Sequence, residues 1–204
     1  MDVTFFTAWI QEIIRVLSIN RDLLTRLDAA IGDADHGTNL DRGFTSVRQA
    51  LSDTPPGTPG QLLTLVGNTL IRRVGGASGP LYGSLFRQLG KSLGDAPEVS
   101  LDDLAAAFAT ALESVTRLGK AAEGDKTMVD ALAPAARTLS SAAREGLKPG
   151  EALGRAAAAA AEGAKATIPL QARKGRASYL GPRSVGHEDP GAASAALILA
   201  ALHP

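Results

Sequence analysis

The sequence predicts an all-α domain of eight or nine helices. Apolar residues recur at three- and four-residue spacing through most of the chain. The 22 glycines and 11 prolines cluster between those segments, as in helices separated by glycine-rich loops. No segment alternates apolar and polar residues as a half-buried strand does. The 204 residues suit one domain, residues 1–204, long enough to build a core although no cysteine is present to staple it.

Phe5, Phe6, Trp9, Ile10, Ile13, Ile14 and Leu17 mark a first helix. Asn20 is placed to cap a second, running through Leu23, Leu24 and Leu27 toward Ile31. After a polar loop, Leu40, Phe44, Val47 and Leu51 form a third, stopped by Thr54-Pro55-Pro56-Gly57. Leu62 to Val74 gives a fourth and Leu81 to Leu93 a fifth, with Pro80 suited to its first turn. Ser100 and Asp103 make a capping arrangement for a sixth through Leu118. Thr127 to Arg144 is a seventh, with Pro134 near its start. Glu151 to Ile168 is an eighth, whose run Ala156 to Ala161 lets two helices approach closely. Asp189-Pro190 opens a last helix through Leu199.

Composition removes several function classes. Lys+Arg 21 against Asp+Glu 21 leaves no global basic field for nucleic acid or an anionic membrane, so any anion must be held by a local site. The longest apolar stretch, Ala195 to Leu202, falls far short of the roughly 20 residues of a membrane span, and the N-terminus lacks the basic region of a signal peptide. A cytoplasmic protein is expected. The absence of cysteine excludes thiol catalysis and Fe–S clusters, and His36, His187 and His203 form no zinc-ligand cluster. A P-loop is excluded too: Gly90-Lys91-Ser92 has Leu85 where glycine is required, and no strand precedes it.

The informative segment is Leu27 to Asn39, where Asp28, Asp33 and Asp35 fall within eight residues at a helix end. Unpaired carboxylates about 4 Å apart repel by about 4 kcal/mol at an effective dielectric near 20, so convergence calls for a cation. Oxygen-only ligation favours Mg²⁺ or Ca²⁺. Counted from Asp33, an EF-hand loop needs glycine and glutamate where this chain has Thr38 and Phe44, so magnesium shared with phosphates is the better fit. The competing reading makes Asp33 and Asp35 Asx turns and a helix cap.

Three glycine-rich loops abut helix starts, where free N–H groups favour either an anion or a cap: Gly75 to Pro80, Gly124 to Met128 and His187 to Gly191. A fourth segment, Gln171 to Ser184, carries Arg173, Lys174, Arg176 and Arg183 and no acid. It is either a solvated charge run or the positive side of a polyphosphate site. Three aspartates and a nucleoside diphosphate carry about −6, and two Mg²⁺ return +4, leaving roughly two charges for side chains such as Arg176 to offset. Two metals are therefore expected.

The strings LDAAIGDADHGTN, GGASGPLYGS, GDKTMVDAL and QARKGRASYLGPRSVGHEDPGA resemble the nucleotide-binding subunit L family of bacterial dihydroxyacetone kinases and the C-terminal domain of their ATP-dependent single-chain relatives. The resemblance runs in order from Leu27 to Ala192. It implies an antiparallel barrel of about eight helices with the nucleotide at one end. It further implies Asp28, Asp33 and Asp35 as ligands of two Mg²⁺, and an ADP (or ATP) site lined by His36, Gly37, Thr38, Asn39, Ala77, Ser78, Gly119, Met128, Arg176, Asp189, Pro190 and Gly191. Arg176 and the three aspartates would serve phosphoryl transfer, with Ser78 and His36 facing phosphate and Met128 the adenine or ribose.

In such systems the sugar sits covalently on a histidine of subunit K, and ADP is rephosphorylated in place by a phosphohistidine of subunit M of the phosphotransferase system. This chain then needs no nucleophile of its own, and at 204 residues it fits that arrangement better than the single-chain kinase. Two alternatives stay open: a nucleotide subunit or domain of an ATP-dependent dihydroxyacetone or tetrulose kinase, and a non-catalytic helical module that binds Mg²⁺-nucleotide or a transcription factor. A homodimer is one quaternary arrangement open to the chain.

Overall fold

The computed structural model describes residues 1–202; His203, counted among the three histidines above, lies outside the described residues, as does Pro204. Among the described residues there are nine α-helices: α1 Val3–Ile19, α2 Arg21–Ile31, α3 His36–Asp53, α4 Pro59–Arg73, α5 Ser78–Leu93, α6 Leu101–Gly119, α7 Val129–Arg144, α8 Pro149–Ala166 and α9 Pro190–Ala200. A 3-10 segment, Arg176–Ser184, precedes α9, and the only extended pairing among the described residues is an isolated bridge between Asp2 and Glu98.

From α2 onward each helix packs on the next, and α9 returns to α2, closing a ring against which α1 packs through α3, α4 and α9. Helices joined by short connections and packed side by side run antiparallel, so alternate connections share an end. The α2–α3, α4–α5, α6–α7 and α8–α9 connections therefore lie together. The interior is filled by side chains. Phe5, Phe6, Trp9, Phe86 and Phe44 form a chain of aromatic contacts with centroids 5.3, 6.2, 5.6 and 6.0 Å apart. Trp9 Nε1 donates to the carbonyl of Ile198 at 3.0 Å, tying α1 to α9. The apolar void left beside Trp9 measures about 10 Å³.

Most sequence-based boundaries lie within a few residues of the observed ones, and the reasons for them are visible. Thr58, Ser100 and Asp189 cap α4, α6 and α9, and Ser100 with Asp103 forms a capping box. The alanine stripe Ala152, Ala156, Ala160 and Ala164 is buried, and α8 packs closely on α7 along it. Pro134 has no N–H for the carbonyl of Asp130, and α8 passes over that carbonyl at Gly163.

Three expectations need correction. Asn20 makes no side-chain cap for α2; its amide instead donates to Val16 O at 2.9 Å and closes the end of α1. The loop expected before Leu40 is shorter, because His36 to Asn39 already form the first turn of α3. Glycine is also not confined to loops. Gly60 and Gly67 of α4 face Gly83 and Gly90 of α5, where a Cβ at Gly67 would lie 2.5 Å from Arg87 N and 2.6 Å from Gly83 O.

Gly67→Ala should destabilise the fold by about 1–3 kcal/mol, because overpacking at this crossing outweighs the gain in helix propensity of roughly 1 kcal/mol. Urea unfolding measures it; an unchanged or raised midpoint would show that α4 and α5 can part without cost.

Candidate nucleotide and metal site

The four connections at one end of the ring enclose a cavity of about 500 Å³, within the usual range for small-ligand sites. Each contributes a short polar segment, and the ends of α2, α5, α6 and α7 add an apolar wall that includes Ile31, Leu81, Leu118 and Met128.

The α2–α3 connection carries the acidic triplet. Asp28 is buried, and its Oδ2 accepts from the backbone N–H of Asp35 at 2.9 Å and of His36 at 3.1 Å. One oxygen from each of Asp28, Asp33 and Asp35 lies within 4.8 Å of the others. Gly32 is required beneath them, since a Cβ there would lie 2.0 Å from Asp28 Oδ1. Asp35 stands at the N-cap of α3 but makes no side-chain cap bond, so capping does not explain its carboxylate. An all-oxygen donor set with this much uncompensated charge fits a hard divalent cation.

Opposite the triplet, Arg176 Nε meets Asp33 Oδ2 at 3.0 Å, with the arginine side chain 68% exposed and the aspartate 35%. Such a pair is worth about 0–1 kcal/mol and is readily exchanged. Of the other basic residues, Lys174 also lines the cavity, whereas Arg173 and Arg183 are exposed and do not. The segment is not an open loop: Arg176–Ser184 is 3-10 helical with a kink at Gly181.

Ser78, the first residue of α5, turns its hydroxyl toward His36 Nδ1 at 3.1 Å, and His36 Nε2 lies 2.8 Å from Ser194 Oγ. Both ring nitrogens are thus engaged by protein. Burial holds the His36 imidazole below its usual pKa, against the pull of Asp28 and Asp35.

The α6–α7 connection organises the fourth. Lys126, 1% exposed, donates to the carbonyls of Thr167 at 2.8 Å, Leu170 at 3.0 Å, His187 at 2.5 Å and, more weakly, Ile168 at 3.4 Å. Its backbone is left-handed, φ +63°. Asp130 fixes the same turn, accepting from Gly124 N at 2.6 Å and Thr127 N at 2.8 Å. Asp189 caps α9 through Ala192 N at 2.7 Å, and its own N–H is held by Thr167 Oγ1 at 2.9 Å. Burial pushes the Asp189 carboxyl up to about 7, against the opposing effect of its bond to Ala192 N and of nearby Lys126.

Of the residues proposed from sequence, Asp28, Asp33, Asp35, His36, Ala77, Ser78, Gly119, Met128, Arg176, Asp189, Pro190 and Gly191 line this cavity. Gly37, Thr38 and Asn39 do not. Gly37 is pressed against Arg21 O and Thr25 of α2, Thr38 is exposed, and Asn39 is buried and accepts from Arg42 Nη2 at 2.7 Å. Sequence reasoning missed Lys126, Asp130, Tyr82 and Ser194. The string GDKTMVDAL contains two of them, but nothing in it says that both charges are buried.

The chain matches the DAK2 domain over residues 30–204. It is 41% identical over 191 residues to the PEP-dependent dihydroxyacetone kinase, ADP-binding subunit DhaL of Escherichia coli (strain K12), covering 94% of this chain and 91% of that protein. Its identity to the PTS-dependent dihydroxyacetone kinase, ADP-binding subunit DhaL of Lactococcus lactis is 36% over 196 residues, covering 95% and 93%. Among solved structures, the dihydroxyacetone kinase from C. freundii in complex with AMP-PNP and Mg²⁺ superposes with a TM-score of 0.71 at 29% identity, over 96% of this chain and 33% of that one.

Lys126→Met should lower stability by on the order of 3 kcal/mol, since it leaves several buried carbonyls without a donor and removes the positive charge near Asp130 and Asp189. A change in the denaturation midpoint below 1 kcal/mol would refute the bracing role. Asp189 has a raised pKa in the folded state, so its contribution to stability is full below about 4, the unfolded value, and is lost as pH rises through about 7. Urea midpoints measured from pH 4 to 8 should therefore fall less in Asp189→Asn than in the wild type. Parallel profiles would show that Asp189 does not titrate there.

Proposed function

We propose that this chain, which belongs to the DAK2 domain family and stands with the ADP-binding DhaL subunits of dihydroxyacetone kinase, is the nucleotide-carrying subunit of a PEP-dependent, phosphotransferase-system-linked dihydroxyacetone kinase. One observation carries the reading: the acidic triplet and Arg176, from the first and last of four connections, meet across 3.0 Å inside one cavity that also holds an apolar wall.

Asp28, Asp33 and Asp35 would hold Mg²⁺, two ions by charge balance, and magnesium when bound supplies neutralisation of phosphate charge. Residues 1–204 are read as one nucleotide-binding domain. Leu118 and Met128 offer apolar contact to a base, while Ala77, Ser78 and Gly191 bring helix starts to the phosphate side. Arg176 can exchange Asp33 for a phosphate oxygen and so steady the transferring group. His36 is already hydrogen-bonded at both nitrogens, which suits a site where the acceptor comes from elsewhere. That acceptor is dihydroxyacetone on partner subunit K, and subunit M of the phosphotransferase system recharges the nucleotide in place. The setting is cytoplasmic; among the described residues no helix is long and apolar enough to cross a membrane.

The test is to denature the purified protein and identify released nucleotide by mass spectrometry. Stoichiometric ADP surviving gel filtration is expected. Nucleotide that exchanges freely with ATP would favour an ATP-dependent ketose kinase, and none even with added Mg²⁺ would overturn both readings. Asp33→Ala should abolish retention while stability changes by no more than about 1 kcal/mol. Arg176→Met should keep the fold and the nucleotide but lose turnover in the reconstituted complex.

A further inference from the structure

The cavity wall contains a chain of hydroxyls and imidazole that the reading above leaves unexplained. Ser78 Oγ reaches His36 Nδ1 at 3.1 Å, His36 Nε2 reaches Ser194 Oγ at 2.8 Å, and Ser194 Oγ reaches the Tyr82 hydroxyl at 2.6 Å. Ser194 and Tyr82 are 0% and 1% exposed, so their hydroxyls have only protein to bond. Both also approach the carbonyl of Gly191, Ser194 at 3.0 Å and Tyr82 at 3.2 Å.

With Tyr82 donating across its short contact to Ser194, two arrangements keep both ring nitrogens of His36 hydrogen-bonded. In the inward one, Ser194 donates to Gly191 O, the ring proton sits on Nε2 and is donated to Ser194, and Ser78 donates to bare Nδ1. Ser78 then shows the cavity only lone pairs. In the outward one, Ser194 donates to Nε2, the ring proton sits on Nδ1 and is donated to Ser78, and the Ser78 proton faces the cavity. The inward form makes four hydrogen bonds within the protein and the outward form three, so without an anion the inward form is favoured. A phosphate oxygen beside Ser78 supplies the fourth bond outward and repels the lone pairs of the inward form. Conversion removes one proton from Nε2 and adds one at Nδ1, so the ring keeps a single proton throughout.

We infer that Tyr82, Ser194 and His36 form a relay that aims the Ser78 hydroxyl proton at a nucleotide phosphate, with Tyr82 and Ser194 as positioning residues. The inference rests on the nucleotide reading and extends it to residues from α3, α5 and α9.

Long-range ¹H–¹⁵N spectra of the ¹⁵N-labelled protein identify the protonated ring nitrogen. His36 should carry its proton on Nε2 in nucleotide-free protein and on Nδ1 with saturating ADP and Mg²⁺. A tautomer unchanged by bound ADP would overturn the relay and leave the nucleotide reading standing; failure of ADP to bind at all would overturn both. Calorimetric ADP affinities of Ser78→Ala, Ser194→Ala and the double variant provide the second arm. Each single change should weaken binding on the order of tenfold, the worth of one hydrogen bond to a charged group, and the double variant should be no weaker than Ser78→Ala. Additive losses would assign Ser194 to packing alone and overturn the relay. Tyr82→Phe keeps the ring in the core and should lose part of the same affinity without lowering it further in a Ser78→Ala background.

Discussion

The parity of an antiparallel ring governs this molecule. When each helix packs on its predecessor and reverses direction, every second connection lies at the same end, whatever its sequence. The α2–α3, α4–α5, α6–α7 and α8–α9 connections are therefore neighbours although they are spread from residue 32 to residue 189. The remaining connections are left at the opposite end, and none of their residues lines the cavity. Chemistry concentrated in four separated strings becomes one site because the helices between them are of similar length and stack side by side.

That constraint brings loops together but does not shape them, and the shaping falls to buried charge. The α8–α9 connection is the longest, and its buried apolar anchor is small, Ala172 and Ala177 packed with Leu180 against Ile31. Lys126 supplies the anchor by donating to carbonyls at both ends of the connection, Thr167 and Leu170 on one side and His187 on the other. An ammonium group suits this task because it carries three donors and no acceptor, so carbonyls from different directions can converge on it. Asp130 and Asp189 lie near enough to favour its charged form, and each of them also ties down backbone N–H groups. The same three ionisable residues thus close the loop and cap α9, and Lys126 and Asp189 also line the cavity.

The helices were legible because their periodicity is local, as in the Ala152 to Ala164 stripe of α8 and the capping box at Ser100. Asp28, Asp33 and Asp35 were legible for a similar reason, since eight residues around a helix end leave few ways for the carboxylates to diverge. Gly67 and Gly83 were not, because a glycine that permits helices to touch and one that permits a turn are the same letter. Lys126 was hidden further, as its partners are carbonyls, which no side chain announces. Ser194 lies 158 residues from His36 and 112 from Tyr82, so only closure of the ring reveals that they meet.

The three carboxylates are also held with different firmness, and the order matters for a cation. Asp28 is locked by two backbone N–H groups, Asp33 is held by one exposed arginine, and the Asp35 carboxylate has no hydrogen-bond partner among the described residues. Their mutual repulsion, with one oxygen of each within 4.8 Å of the others, is therefore only partly relieved in the protein alone. On the nucleotide reading, a metal finds one ligand already oriented and displaces only the Arg176 contact, worth about 0–1 kcal/mol. Freed from Asp33, the guanidinium stays beside the phosphates that arrive with the metal. A weak pair at this position is thus better suited to the site than a strong one, because it holds the basic segment near the acidic one without competing with the ligand that joins them.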